Sequence, residues 1–348
     1  MAQSPTGGGP LSTPRVLLAV DKFRSTASAS DIVVAVGRAL ATHDVPFDAV
    51  ALSDGGEGFR SAFEGPVAWL SARGAWGDPH DVPLTVTAWD GVATGILEVA
   101  EIIGRSPQSV DSATALAASS AGVGEALLAA ARRGVAHVVI GCGGSATSDG
   151  GEGCYDVVRR AGGLGVRVSA ATDITAPYAG ALRYAEQKGV ARDDLAHVAQ
   201  RLATVRERLR RETGLDPGDV ARTGAAGGLA GALYALGADV VSGFDAVATA
   251  HRLASRVAGA SLVVTGEGRL DAGSLEGKVV TGVCALTRPT QRVLVVCGSV
   301  EESAADTLRA RHPGVEIVDL VSRFGESRSF AQAAQCVADV VTTTVLAR

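Results

Sequence analysis

A chain of 348 residues, 47% hydrophobic and 20% charged, is long enough for two domains and apolar enough to bury a sizeable core, which argues against disorder. Its net charge of −5 argues against nucleic acid or an anionic membrane as the main partner, but not against a local phosphate site, because a few backbone N–H groups can hold phosphate in an acidic protein. Five scattered cysteines, odd in number and without CxxC spacing, read as reduced thiols of a cytoplasmic protein and not as a disulfide frame or zinc site.

Residues 1–13, rich in Gly, Pro, Ser and Thr, read as a disordered tail without the features of a signal peptide. The run RVLLAV at 15–20 predicts a strand buried on both faces. A helix is predicted over 31–42, where Ile32, Val33, Val36 and Leu40 keep helical spacing; Ser28 and Asp31 resemble a capping box at its start. Residues 66–99 differ, with alternating Leu84, Val86 and Ala88, prolines and three tryptophans, and predict antiparallel strands of a second domain. A helix over 120–134, closed by Gly134, precedes the strand VAHVVIG. Residues 195–213 predict a basic amphipathic helix whose charges form a solvated face. Strands at 261–265, 292–297 and 316–320 alternate with helices at 279–286, 303–311 and 330–346. This alternation predicts an α/β fold with a doubly wound parallel sheet and ligands at the carboxyl ends of its strands. No apolar run approaches the ~20 residues of a membrane span.

Three glycine-and-carboxylate segments could carry chemistry. DGGEG at 54–58 sets Asp54 and Glu57 in a turn whose glycines allow close approach of a ligand. GGSATSDGG at 143–151 follows a strand and offers an oxyanion cradle of N–H and hydroxyl donors, with Asp149 available as metal ligand or base. Gly141-x-Gly143-x-x-Ala146 also fits a relaxed dinucleotide fingerprint, which would make the chain an oxidoreductase, but no clean strand ends in an acid about 20 residues on. GEGRLD at 266–271 brings Glu267, Arg269 and Asp271 close together after a strand, with Lys278 where the next helix starts. The segment 273–278 is one residue short of a Walker A loop, and Val279 replaces its Ser/Thr. Acids plus a lysine still supply what phosphoryl transfer needs: a divalent cation, neutralising charge and a carboxylate to position a hydroxyl. None of the six histidines falls in a glycine loop, so a general base would be an aspartate.

Together SDGGEG (53–58), GCGGSATSDGG (141–151), GAAGGL (224–229), LGADVVSGFDAV (236–247) and TGEGRLDAGSLEGK (265–278) resemble, in order and over nearly the whole chain, the type I glycerate kinases. The resemblance implies two α/β domains: a flavodoxin-like one formed by both chain ends (14–60 plus 255–348) and one inserted in the middle (61–254), with the active site in the cleft. It also implies transfer of the ATP γ-phosphate to a hydroxyl of D-glycerate, giving 2-phosphoglycerate, or to that of a related small hydroxy acid, with ATP and Mg2+ and a homodimer as an allowed assembly. Asp54, Asp149, Asp271 and Lys278 are then the expected catalytic residues, with Asp149 and Asp271 on the metal. Asp21, Arg24, Ser28, Glu57, Gly143, Gly144, Ser145, Thr147, Lys188, Gly266, Glu267 and Arg269 are the expected substrate or phosphate contacts. Some positions depart from the family pattern. Its opening Asp-Ser-Phe-Lys-Gly-Ser-Leu-Ser is Asp21-Lys-Phe-Arg-Ser-Thr-Ala-Ser28 here, an Asn before a proline is Ala176, and only 162–171 bridge the Asp149 loop to Asp173. These losses keep open a non-catalytic paralogue that binds a nucleotide or sugar acid.

Overall fold

The computed structural model describes residues 15–23, 26–105 and 109–347; the tail expected at 1–13 and the contact expected of Arg24 lie outside the described residues. The described strands are β1 (Val16–Val20), β2 (Phe47–Ala51), β3 (Val67–Arg73), β4 (Pro79–Trp89), β5 (Val92–Glu98), β6 (His137–Gly141), β7 (Arg167–Thr172), β8 (Asp239–Ser242), β9 (Leu262–Leu270), β10 (Arg292–Val300) and β11 (Val315–Asp319). The chain forms two compact units.

One unit takes the residues up to Val50, Ala254–Ala272 and those from Val283 on. Its sheet has the order β11-β10-β9-β1-β2, with β1, β9, β10 and β11 running parallel. β1 is buried along its whole length, as its unbroken apolar run dictates. Helix Ala29–Ala41 lays Ile32, Val36 and Leu40 on the same core as Val337 and Val341 of helix Ala333–Leu346. β9 and β10 are longer than their apolar runs. GEGRL belongs to β9 and not to a loop, because Gly266, Glu267 and Arg269 stay in register with Val296, Cys297 and Ser299.

The other unit takes Ala51–Leu253 and Gly273–Gly282. Its sheet, β3-β4-β5-β6-β7-β8, is antiparallel across β3, β4 and β5 and parallel from β5 to β8. The boundary expected at 60/61 therefore falls at 50/51, because Gly143 N donates to Gly55 O (3.1 Å) and Gly58 N to Glu98 (2.7 Å), which ties the DGGEG turn to β5 and β6. Residues 273–282 also leave the end unit to which they were expected to belong; Gly282 lies against the Phe244 ring.

Helix Leu195–Thr213 spends arginines on ion pairs, Arg208 with Asp156 and Arg206 with Asp216, both at 2.7 Å. The stretch Ser112–Arg132, mean hydropathy 1.3, does have the length and composition of a membrane span, contrary to expectation. In the fold it breaks at Ala118 into helices Ser112–Ala117 and Ala121–Arg132, and half of it is buried.

Candidate active site

In the middle unit the DGGEG and GGSATSDGG segments meet beside the carboxyl ends of β5 and β6. Asp54 Oδ1 accepts from Gly56 N at 3.0 Å, the side-chain-to-backbone bond that closes an Asx turn. Glu98, the last residue of β5 and 3% exposed, accepts from Gly58 N (2.7 Å) and Arg60 N (3.1 Å) and so pins the far side of that turn. Arg60 in turn donates to both oxygens of Glu101 at 2.6 and 2.7 Å, a fork that raises its pKa. Neither glutamate is visible in the sequence as a site residue. The only signal is an acid ending a strand of otherwise apolar and small residues.

The second segment lies against the first, backbone to backbone. A Cβ on Gly143 would sit 2.3 Å from Gly56 Cα, so only glycine lets the loops meet. Gly143→Ala is therefore expected to push the DGGEG turn away, lowering stability by about 1–3 kcal/mol and cutting turnover far more. Thermal melts and initial rates on the variant check this, and an unchanged rate would show that the close approach is not needed.

Asp149 is completely buried, and both its oxygens are taken. Oδ2 accepts from Ser120 N (2.8 Å), Ser120 Oγ (2.7 Å) and Gly153 N (3.3 Å), and Oδ1 from Gly151 N (3.0 Å). A carboxylate so enclosed is not open to a metal or a substrate hydroxyl. Its place is that of a staple between the start of helix Ala121–Arg132 and the turn into helix Glu152–Arg160. Tyr178 adds a bond from its hydroxyl to Gly150 O at 2.7 Å. The GAAGGL segment closes the same loop from beneath, with Gly150 N donating to Gly227 O (3.0 Å). Gly227 has φ +69°, and a Cβ there would lie 2.0 Å from Thr147 O.

Lys188 comes from the short 3-10 turn Glu186–Lys188 and is almost wholly buried. Its Nζ donates to Ser145 Oγ (3.0 Å) and Thr147 O (2.6 Å). Burial pushes its pKa down to about 8; Asp149 and Asp173 counter that shift and the Arg105 guanidinium adds to it. Lys188 lines a cavity of about 610 Å³ together with Glu57, Trp76, Arg105, Gly144 and Glu186. Ser145 and Gly104 form a β-bridge at its wall, and Arg105 N donates to Gly144 O at 3.2 Å. Arg105 and Trp76 carry no motif in the sequence; the fold alone brings them to this cavity.

In the end unit Asp21 follows β1, and its N–H donates to Gly266 O at 3.0 Å. Glu267 is 7% exposed within β9, and Arg269 and Asp271 stand 3.9 Å apart as a loose, largely exposed pair. Ser28 is the N-cap of helix Ala29–Ala41, its Oγ bonded to Asp31 N (3.0 Å) and Oδ2 (2.6 Å), so its hydroxyl serves the helix and not a ligand. Lys278 lies in the segment 273–278 ahead of helix Val279–Ala285, partly exposed. Of the expected contacts, the fold thus gathers Asp54, Glu57, Gly143, Gly144, Ser145, Thr147, Asp149 and Lys188 within the middle unit, and Asp21, Gly266, Glu267, Arg269 and Asp271 within the end unit. β7 ends at Thr172, with Asp173 just beyond it, so that strand does not itself end in an acid at the spacing a dinucleotide fingerprint needs. The dinucleotide geometry is also missing, since Gly141 closes β6 and the next helix begins only at Glu152.

Among the described residues no group of three or more His, Cys, Asp or Glu side chains is placed to hold a metal ion. Mg2+ asks for less, one or two carboxylates with phosphate oxygens and water completing the shell. The enclosed Asp149 does not fit that requirement, whereas the partly exposed Asp271 does.

The profile of the glycerate kinase family matches residues 16–161 and 156–346. The chain is 35% identical over 317 residues to the uncharacterized protein MT2261 of Mycobacterium tuberculosis, covering 84% of this chain and 82% of that protein. It is 29% identical over 329 residues to glycerate 2-kinase of Escherichia coli K12, covering 83% and 86%. In fold it is similar to the crystal structure of a candidate glycerate kinase 2 from Salmonella typhimurium LT2, with a TM-score of 0.73 and 24% identity over 96% of this chain and 99% of that one.

Proposed function

This chain belongs to the glycerate kinase family, and from that premise we propose that it transfers the γ-phosphate of ATP to a hydroxyl of D-glycerate, giving 2-phosphoglycerate and ADP. The observation that carries this reading is the Lys188 ammonium, fixed by Ser145 and Thr147 beside Arg105 in a polar cavity floored by the GCGGS segment. The buried Lys188 ammonium, with the exposed Arg105 guanidinium beside it, suits a small carboxylate, because charge–charge attraction is stronger where solvent screens it less. The hydroxyl oxygen attacks the γ-phosphorus and gives up its proton to solvent, the bond from that phosphorus to the bridging oxygen breaks, and ADP leaves. A bound Mg2+ would offset phosphate charge, and Asp271, partly exposed, is a carboxylate that would hold it. Asp54 and Asp149 shape the loops of the middle unit, and Lys278 of that unit supplies further positive charge for phosphate. The partners are small molecules, and the compartment is the cytoplasm.

A coupled assay of ADP release with ATP, Mg2+ and D-glycerate tests this, with turnover as the expected result. Nucleotide binding without ADP release across a panel of small hydroxy acids would replace the kinase by the non-catalytic paralogue.

A further inference from the structure

The cavity beside Lys188 is large for a three-carbon acid. Its roughly 610 Å³, in a cleft about half open to solvent, lies in the range of sites for ligands larger than glycerate. Its lining is also more varied than one carboxylate and two hydroxyls can use. Lys188 and Arg105 offer positive charge, Glu57 and Glu186 are acceptors, Gln187 is both donor and acceptor, and Ser109 adds a hydroxyl. The apolar part, about as large as the polar one, comes among the described residues from Trp76, Ala100, Val110 and Ala146. Trp76, from the turn between β3 and β4, is held by its Nε1–H on Thr114 O at 2.9 Å and remains 39% exposed. A fixed, partly open indole is a suitable wall for the C–H face of a polyol. Glu186 is not idle, since it pairs with Arg192 at 3.0 Å, but that pair is solvent-exposed and weak enough to yield an oxygen to a ligand.

We infer that this cavity takes polyhydroxy acids longer than glycerate, aldonates of about five or six carbons, with the carboxylate at Lys188 and Arg105 and the chain lying along Trp76. The inference rests on the kinase reading for its chemistry, though not for its binding. Transfer is balanced as before: one hydroxyl of the aldonate gains the γ-phosphoryl group and loses its proton, and ADP departs.

The experiment compares D-glycerate, D-erythronate, D-ribonate and D-gluconate in the ADP-release assay, alongside calorimetric titration of D-gluconate alone, on the wild type and on Trp76→Ala and Trp76→Phe. The expected result is a kcat/KM for D-gluconate at least equal to that for D-glycerate. Trp76→Ala should lower it about tenfold, and by more than it lowers that for D-glycerate, with Trp76→Phe largely restoring it. Turnover of D-glycerate with neither turnover nor binding of the longer acids overturns this inference and leaves the kinase reading standing. Binding of D-gluconate, weakened by Trp76→Ala, without turnover of any acid keeps the cavity assignment and removes the glycerate kinase reading. Binding that Trp76→Ala does not change, or no binding and no turnover at all, overturns the inference.

Discussion

Lys188→Met is expected to lower kcat/KM for D-glycerate by at least about 100-fold, because removing one partner of a desolvated charge pair costs roughly 2–5 kcal/mol. The same substitution is expected to leave the melting temperature at pH 7 equal to or above that of the wild type. Burial holds the Lys188 pKa near 8 against an ordinary value of 10.5, so the fold carries this ammonium at a cost. The sign follows from proton counting. Between about 8 and 10.5 the unfolded chain binds more protons than the folded one, so stability rises with pH across that window. Below about 8 the cost is present in full, on the order of 3 kcal/mol. Methionine removes it, at the smaller expense of leaving Ser145 Oγ and Thr147 O without their donor, about 1–2 kcal/mol. Thermal melts at pH 7 and pH 10 check this, and the advantage of the variant should shrink at the higher pH. Turnover should also fall in the wild type as pH rises through about 8 and the ammonium is lost, whereas Lys188→Arg should lack that limb. A Met variant with wild-type kcat/KM would remove Lys188 from the site.

Asp149→Asn is expected to act first on the fold. The carboxylate receives four hydrogen bonds in a place with no solvent, and an amide can accept on one side only. Its NH2 then faces donors from Ser120 or Gly151, a clash of like groups in addition to the lost bonds. The expected loss is about 2–4 kcal/mol, or some 5–10 °C in melting temperature for a protein of this size. Turnover should fall with it, since Ser145 and Thr147 belong to the same loop. Differential scanning fluorimetry beside the ADP assay separates the possibilities. Full stability with abolished turnover would return Asp149 to the reaction itself, the role suggested by an acid in a glycine loop.

Asp149 shows where sequence reasoning stops. An acid between Ser148 and Gly150 is equally compatible with an open ligand and with a staple; only burial and the Ser120 donors decide, and Ser120 lies 29 residues away. Elements whose signal is local were legible. β1 follows from five consecutive apolar residues, the Ser28 cap from its spacing to Asp31, and helix Leu195–Thr213 from its periodicity. β7 and β8 were not, because RVSAAT and DVVS are short and lack marked alternation, and their place depends on pairing with β6 and with each other. The site divides in the same way. Ser145, Thr147 and Lys188 stand in or near motifs, whereas Arg105, Trp76 and Glu98 reach it through contacts set by tertiary structure.

The meeting of Gly143 with Gly56 has a consequence for how this pocket can change. A floor made of main chain has no side chains to exchange, so point substitution there can break it but cannot retune it. The opposite wall is built from Trp76, Arg105, Ser109 and Val110, whose side chains can be traded one at a time without moving the floor. Selectivity is therefore adjustable through such side chains, and a library confined to those positions should yield altered acceptor preference in folded, active proteins.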